Sequence, residues 1–285
     1  MQSAAHRLDA ADLCYGHGTD NPMDEAFYLA YGLLGIDFDD SQASKRELAI
    51  DERAKLEAAL ERRIEDRVPT AYLVGRAWFA GHEFYCDERA LVPRSPIAEL
   101  ILGDFQPLLG RPASRVLDLC TGGGSIGIAV AKQWPACRVD LVDLSTEALA
   151  LASQNIRLHG LESRVRTIQS DLFAAVEGQY DLIVSNPPYV PRDEYAQLPD
   201  EFGHEPELGL VSADGGLQLP LQILRDSVDH LTESGALVME VGYSHVQLSQ
   251  RLAQVPLLWL EFENGGDGVL ALTARQLQQY REQFI

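Results

Sequence analysis

The sequence predicts an α/β fold: a mostly parallel, doubly wound sheet with an antiparallel last strand, preceded by a small N-terminal helical domain. Three observations support this. Short apolar runs alternate with helical stretches after Pro112, the last two strand candidates are only five residues apart, and the first 75 or so residues have helical patterns. Strand–helix alternation at this spacing is typical of a parallel sheet, whereas a five-residue connection allows only an antiparallel hairpin.

The N-terminal helical domain is expected to span residues 1–75. Asn21 and Pro22 form a helix start, because an asparagine side chain caps free N–H groups and proline is tolerated in the first turn. Aromatic and short apolar pieces in residues 76–92 indicate a hairpin linker. The sheet domain then occupies residues 93–285.

The sheet domain contains seven strand candidates, each a short apolar run. They are residues 115–119, 138–142, 165–169, 180–185, 236–241, 257–263 and 269–273. Helices are predicted between them, including residues 146–159 and 219–231. Ligands of such sheets bind beyond the carboxyl ends of the strands, so the residues that follow each strand are the candidate site residues.

Composition and charge disfavour several classes of protein. The 285 residues are 46% hydrophobic and 23% charged, as in a globular protein, and no apolar stretch is long enough to span a membrane. The formal charge of −20 disfavours nucleic acid as a partner, because a phosphate backbone requires a positive surface. Two explanations of this negative charge stay open: an acidic surface that is simply solvated, and a surface that attracts a basic macromolecule. The four cysteines have neither disulfide nor zinc-ligand spacing, and without a secretion signal we expect a cytoplasmic protein with no metal site.

The strongest local motif is a glycine-rich turn between a strand and a helix. After Asp118 it contains Cys120, Thr121, Gly122, Gly123 and Gly124. Glycines let a ligand approach the backbone, since no Cβ lies in the way. With Gly127 the turn satisfies the dinucleotide fingerprint, although a sharp turn without a ligand would use the same residues.

Acidic residues follow the next two strands. Asp143 comes about 20 residues after the glycines, where a carboxylate can accept hydrogen bonds from both ribose hydroxyls of a nucleoside. Leu144 adjoins it, and Asp171 and Leu172 follow the third strand, where Asp171 could reach an adenine edge. The alternative for Asp143 is a cap of the next helix, and the alternative for Asp171 is an ordinary carboxylate of a loop. These residues indicate a nucleoside cofactor and leave NAD and S-adenosylmethionine both open.

The residues after the fourth strand distinguish the two cofactors. They are Asn186, Pro187, Pro188 and Tyr189. The prolines fix φ and remove donors, so their carbonyls point in set directions, while Asn186 adds an oxygen acceptor and Tyr189 a flat wall. Two acceptors can hold the N–H bonds of a planar amino group while its nitrogen faces an electrophilic methyl. This favours S-adenosylmethionine, with a rigid turn without chemistry as the alternative.

On these residues the chain resembles the class I methyltransferases, which have a Rossmann-like sheet. Within them it is similar to the amino-methylating enzymes with an Asn-Pro-Pro-Tyr loop, which include adenine and guanine methyltransferases of nucleic acids. Its resemblance to the protein glutamine-N5 methyltransferases of the HemK/PrmB type covers nearly the whole chain. The branch that modifies large-ribosomal-subunit protein three is most similar, through residues 117–122, 198–199, 204–210 and 259–268.

The resemblance implies methyl transfer from S-adenosyl-L-methionine to the side-chain amide of a glutamine in a basic ribosomal protein. Glutamine methylation of release factors and amino-methylation of nucleic acid are the alternatives within the class, an NAD oxidoreductase or a non-catalytic adaptor outside it. Asn186, Pro187 and Tyr189 would be catalytic, and with Pro188 they would bind substrate. The implied cofactor residues are Asp118, Cys120, Thr121, Gly122, Gly123, Gly124, Asp143, Leu144, Asp171, Leu172 and Asn186.

Two positions depart from the release-factor enzymes, and one loop is ambiguous. Cys120 stands where those enzymes usually carry glycine, and Leu172 where they often have an aromatic residue beside adenine. Residues 204–206 (His-Glu-Pro) are expected to shape the substrate mouth, with a catalytic His/Glu pair as the alternative. By exclusion, the N-terminal domain is the candidate for substrate recognition.

Overall fold

The computed structural model describes residues 1–40 and 46–285; residues 41–45, which fall in the expected N-terminal domain, lie outside the described residues. Four helices come first: α1 (Gln2–Asp9), α2 (Pro22–Leu34), α3 (Ile50–Glu65) and α4 (Thr70–Val74). As predicted, Asn21 caps α2: its Oδ1 accepts the N–H groups of Met23 and Asp24 at 3.1 and 2.9 Å. Buried side chains of α1, α2 and α3 pack together, among them Leu8, Leu29 and Leu60.

A β-hairpin follows the helices. Strands β1 (Arg76–Phe79) and β2 (His82–Tyr85) pair antiparallel around Ala80 and Gly81, both with left-handed φ, as a two-residue hairpin turn requires. The hairpin is fixed to the sheet domain, because the backbone N–H of Tyr85 donates to Asn155 Oδ1 at 2.7 Å. Phe84 is buried in the core of that domain.

The sheet has seven strands in the order β5-β4-β3-β6-β7-β9-β8. They are β3 (Arg115–Leu119), β4 (Arg138–Asp143), β5 (Val165–Gln169), β6 (Tyr180–Ser185), β7 (Leu231–Glu240), β8 (Leu258–Trp259) and β9 (Val269–Thr273). The first five are parallel, and β9 lies antiparallel between β7 and β8. The structure therefore confirms the predicted α/β fold with an antiparallel last strand.

Eight helices belong to the sheet domain. They are α5 (Ile97–Leu102), α6 (Ser125–Gln133), α7 (Thr146–Leu158), α8 (Arg192–Tyr195), α9 (Glu207–Leu210), α10 (Gln218–Asp226), α11 (His245–Arg251) and α12 (Ala274–Tyr280). Alternate strand residues enter two separate cores: Val116 and Leu182 lie in one, Leu117 and Ile183 in the other. Since successive side chains of a strand point to opposite faces, helices cover both faces of the sheet.

The largest differences from the sequence prediction concern α10, β7 and β8. Helix α10 ends at Asp226 and strand β7 already begins at Leu231, before the apolar run that starts at Ala236. Strand β8 has two residues instead of the seven predicted in 257–263, because the backbone leaves the sheet. The N–H groups of Glu263 and Asn264 donate to the carboxylate of Glu99 on α5, both at 2.9 Å. No helix in the described ranges is both long and apolar enough to cross a membrane.

Candidate active site

The sheet brings the predicted site segments to one edge. Leu119, at the end of β3, pairs with Val142 of β4 on one side and Ser185 of β6 on the other. Two hydrogen bonds tie the following loops together: Ser185 Oγ donates to the Leu119 carbonyl at 2.8 Å, and the Thr121 N–H donates to the Val142 carbonyl at 2.9 Å. The glycine turn, the residues after β4 and the Asn-Pro-Pro-Tyr loop therefore meet at the carboxyl ends of the central strands.

The glycines of the turn are predicted to let a ligand approach the backbone, and they also let α6 pack on the sheet, which was not predicted. A Cβ on Gly127 would lie 2.3 Å from Leu141 Cδ2, and one on Gly124, whose φ is +86°, would lie 3.1 Å from the same side chain. These two glycines are therefore required by the packing of α6 on the sheet. A Cβ on Gly122 would meet only Ala90, at 3.6 Å, so this glycine suits a close ligand. Cys120 adopts a left-handed φ of 56° although it is not glycine.

Asp118 lies fully buried next to the turn. Its Oδ2 accepts the Thr121 hydroxyl at 2.6 Å and the Gly127 N–H at 2.8 Å. Its Oδ1 is buried without a hydrogen-bond partner among the described residues. Burial raises the pKa of Asp118 more than these two hydrogen bonds lower it, and the resulting pKa is about 7. An unused buried acceptor beside the turn fits a ligand with hydrogen-bond donors.

Asp143 is half-buried at the end of β4 and holds the turn in place. Its Oδ2 accepts the Gly122 N–H at 2.8 Å and its Oδ1 accepts the Ser145 N–H at 2.9 Å. Burial raises the pKa of Asp143, while these backbone donors lower it. Ser145, whose Oγ accepts the Ala148 N–H, caps α7, so Asp143 is free of the capping role. Because each carboxylate oxygen accepts more than one hydrogen bond, both can still bind ribose hydroxyls.

The remaining candidate cofactor residues differ in exposure. Leu144 is 50% exposed beside Asp143 and offers an apolar surface to a flat ring. Asp171 is exposed, whereas Leu172 is buried in the core that contains Leu117 and has a left-handed φ of 44°. Leu144 is therefore accessible beside the turn, whereas Leu172 belongs to the core.

The Asn-Pro-Pro-Tyr loop is rigidly anchored. Pro187 and Pro188 are buried. The hydroxyl of Ser244 donates to the Tyr189 carbonyl at 2.8 Å, and a Cβ on Gly242 would lie 2.7 Å from the Tyr189 ring. The side chain of Asn186 is half-buried and makes no hydrogen bond within the described part of the chain. The loop therefore presents one uncommitted carboxamide on a fixed backbone.

Glu240 is a site residue that sequence reasoning missed. It is buried at the end of β7, where Tyr189 Oη donates to its Oε1 at 3.2 Å and Ser95 Oγ donates to its Oε2 at 2.6 Å. Burial raises the pKa of Glu240, although both hydrogen bonds lower it. A carboxylate that directly follows an apolar strand was the available signal.

Glu205 is buried and pairs with Arg94, whereas His204 contacts the backbone of Asp66, so the two side chains are not bonded to each other as a catalytic His/Glu pair would be. Glu205 Oε1 accepts the Val92 N–H at 2.9 Å, and both terminal nitrogens of Arg94 donate to the Glu205 carboxylate at 2.5 Å. Burial raises the pKa of Glu205, but the hydrogen bonds and charge of Arg94, together with the nearby His17 ring, lower it to about 2. His204 Nε2 lies 2.6 Å from the Asp66 carbonyl at the end of α3.

A second buried carboxylate of the same segment contacts the N-terminal helices. Glu201 accepts the Cys14 N–H at 3.0 Å and Arg63 Nη1 at 3.1 Å. Arg63 is only 1% exposed and also pairs with Glu25 of α2. Residues 200–206 are therefore fixed to the N-terminal helices at two points, through Glu201 to Arg63 and through His204 to Asp66. The only sequence signal was an arginine between Leu60 and Ile64 on the apolar face of α3.

The chain is an S-adenosylmethionine-dependent methyltransferase of class I, as its sheet and its similarity to known proteins show. Residues 98–202 match the family model described as methyltransferase small domain. The chain is 49% identical over 275 residues to the ribosomal protein uL3 glutamine methyltransferase of Xanthomonas campestris pv. campestris, covering 95% of this chain and 89% of that protein. It is 48% identical to the protein of the same name from Xylella fastidiosa, covering 100% and 92%. The chain therefore belongs to the ribosomal protein uL3 glutamine methyltransferase family.

Similarity to solved structures concerns the fold alone. The catalytic domain of hMettl16 in complex with MAT2A 3′UTR hairpin 1 superimposes with a TM-score of 0.56, covering 92% of this chain and 95% of that domain, at 15% sequence identity. The same catalytic domain in complex with hairpin 6 also gives a TM-score of 0.56, with 81% and 91% covered at 16% identity. The class I sheet is thus shared with an enzyme of very different sequence.

Proposed function

We propose that this enzyme methylates the side-chain amide nitrogen N5 of a glutamine in ribosomal protein uL3. Relatives with that name are 48–49% identical over nearly the whole chain, which supports this substrate. The observation that carries the proposal is Asn186, a half-buried carboxamide without a hydrogen bond on a loop tied to β3 through Ser185. A free carboxamide beside the cofactor edge is suited to hold another amide.

The residues at the sheet edge fit S-adenosylmethionine. Gly122 leaves its backbone accessible, the Asp143 carboxylate would accept the ribose hydroxyls, and exposed Leu144 would cover the adenine. The free Oδ1 of Asp118 would accept a donor of the same ligand. When bound, the cofactor supplies an electrophilic methyl group.

The loop residues orient the incoming amide. Asn186 Oδ1 and the Pro187 carbonyl would accept its two N–H bonds, and the ring of Tyr189 would pack on its plane. An amide pKa lies far above that of any side-chain base, so prior deprotonation by a general base contributes little. Catalysis then comes from positioning and from oriented acceptors that stabilise charge developing on the nitrogen. The Tyr189–Glu240 hydrogen bond keeps that ring in place.

Asn186→Ala is the test of this assignment. Losing an oriented acceptor is expected to lower kcat by about 10²-fold, equivalent to about 3 kcal/mol. Labelled S-adenosylmethionine and recombinant uL3 measure the rate, and peptide mapping identifies the glutamine. Gln197→Ala removes an exposed carboxamide from the nearby α8 region and is expected to keep full activity. Near-normal turnover by a folded, cofactor-binding Asn186→Ala variant would contradict the proposal.

The acidic surface supports a basic protein partner in the cytoplasm over a nucleic acid. A charge of −20 attracts a basic ribosomal protein at long range and repels phosphate backbones. We therefore expect the KM for uL3 to rise with ionic strength. Labelling of a release factor or of naked RNA in preference to uL3 would replace uL3 as the proposed substrate.

The N-terminal helices are the proposed site of substrate recognition. They contact the segment that follows the Asn-Pro-Pro-Tyr loop through Arg63 to Glu201 and through His204 to Asp66. A protein chain bound by these helices would thereby be held at a fixed position relative to the loop.

A further inference from the structure

A cavity of about 330 Å³ lies between the N-terminal helices and the hairpin linker. Three aromatic rings line it: Tyr28, Phe38 and Trp78. The Trp78 ring centre is 5.6 Å from that of Tyr28 and 4.7 Å from that of Phe38, both in edge-on contact. Phe38 and Trp78 are 44% and 41% exposed, which is unusual for a packed aromatic cluster and typical of a ligand site.

His17 lines the same cavity and lacks hydrogen-bond partners. It is 6% exposed, and both ring nitrogens are buried without a hydrogen bond in the described part of the chain. Nε2 lies 3.4 Å from Glu205 Oε2, a contact without hydrogen-bond geometry. A proton on Nε2 would face this carboxylate, which leaves Nδ1 as an acceptor. A buried acceptor without a partner calls for a ligand with a donor.

Acidic side chains line an adjoining depression of the surface. This depression shares Gly18 and Thr19 with the cavity and is lined by Asp20 and Asp24. Asp37 precedes Phe38 in the chain, and no salt bridge joins these three aspartates to a Lys or Arg of the described residues. Aromatic faces, an unused acceptor and unpaired carboxylates together match a cation that carries N–H groups.

We propose that this cavity, the cation subsite, binds an arginine or lysine side chain of the protein substrate; the inference rests on the proposed function. The linker places it near the reaction. Ala90 lies next to the glycine turn, where a Cβ on Gly122 would be 3.6 Å from its side chain, and Val92, two residues later, lines the cavity. Two extended residues span roughly 7 Å. The basic residue is therefore expected about three to six residues from the modified glutamine.

The test is a double-mutant cycle between the cation subsite and uL3. Two variants remove aromatic rings from the subsite: Trp78→Leu, and Phe38→Ala at the more exposed of the two side chains. Each is expected to raise the KM for uL3 about tenfold, while kcat and the Kd for S-adenosylmethionine stay within twofold of the wild-type values. Ile50→Ala removes an exposed apolar side chain elsewhere on the N-terminal helices and should leave KM unchanged. Each arginine or lysine within six residues of the mapped glutamine is replaced by glutamine in uL3.

One of these uL3 substitutions should raise KM about tenfold with the wild-type enzyme and less than twofold with Trp78→Leu, because the partner is already lost. If both cavity variants keep KM within twofold, or if every uL3 substitution acts independently of them, the cation subsite is wrong. If the wild-type enzyme does not label uL3, the proposed function fails instead, so the two failures are distinguishable.

Discussion

Replacing Glu205 by glutamine is expected to destabilise the folded protein by about 3 kcal/mol at pH 7. The Glu205 side chain is fully buried and accepts hydrogen bonds from Val92 N–H and from both terminal nitrogens of Arg94. Glutamine keeps the size of the side chain but not its charge. The guanidinium of Arg94, whose side chain is only 28% exposed, then lacks its counter-ion.

The magnitude follows from the pKa of Glu205, which is lowered from 4.5 to about 2 in the folded chain. Each pKa unit corresponds to about 1.4 kcal/mol, so the ionised group contributes about 3 kcal/mol. Because the folded pKa lies below the unfolded one, this contribution is fully present well above pH 4.5. It is lost as the pH falls towards 2, and about 2 kcal/mol remains at pH 3.5.

Equilibrium unfolding in urea, followed by circular dichroism at pH 7 and pH 3.5, measures the effect. Glu207→Gln is the matched control, because Glu207 pairs with Arg192 at 2.8 Å on the exposed surface two residues away. An exposed pair contributes about 0.5 kcal/mol or less. A loss below about 1 kcal/mol for Glu205→Gln at pH 7, or a difference from wild type that is independent of pH, would refute the reasoning.

Three further predictions concern the site and its support. Gly127→Ala should destabilise the protein by about 2 kcal/mol and weaken S-adenosylmethionine binding in calorimetry, because its Cβ would overlap Leu141; unchanged affinity would contradict the packing argument. Tyr189→Phe should lower kcat about tenfold in the methylation assay, since the ring loses its hydrogen bond to Glu240; an unchanged kcat would show that the bond does not position the ring. Arg63→Met should cost about 3–5 kcal/mol in thermal unfolding, because two buried carboxylates lose their partner; a neutral effect would mean that they find other donors.

Most of the sheet could be predicted from local patterns. Strands β3, β5, β6 and β9 begin and end at the predicted residues, because each is a short apolar run bounded by polar residues or turns. The start of α2 could also be predicted, because the capping residue Asn21 and the first helical residue Pro22 are neighbours in the sequence. The insertion of β9 between β7 and β8 was not predicted, as strand order depends on contacts between distant segments.

The site was only partly predictable for the same reason. Asp118, Asp143 and Asn186 could be located because each lies at or within one residue of the carboxyl end of a strand, and the sheet brings these ends together. Arg63 and Glu201, by contrast, are 138 residues apart and no local pattern relates them. The glycine pattern was found, but its second function, the packing of α6 on the sheet, depends on Leu141 of another strand.

The buried ion pair between Arg63 and Glu201 couples the N-terminal helices to the segment that follows the Asn-Pro-Pro-Tyr loop. Exchanging residues 1–75 with those of a relative would separate Glu201 from Arg63 and leave a buried carboxylate without its partner, unless residues 200–206 are exchanged as well. Any exchange of the N-terminal helices should therefore include both stretches, although they lie far apart in the sequence.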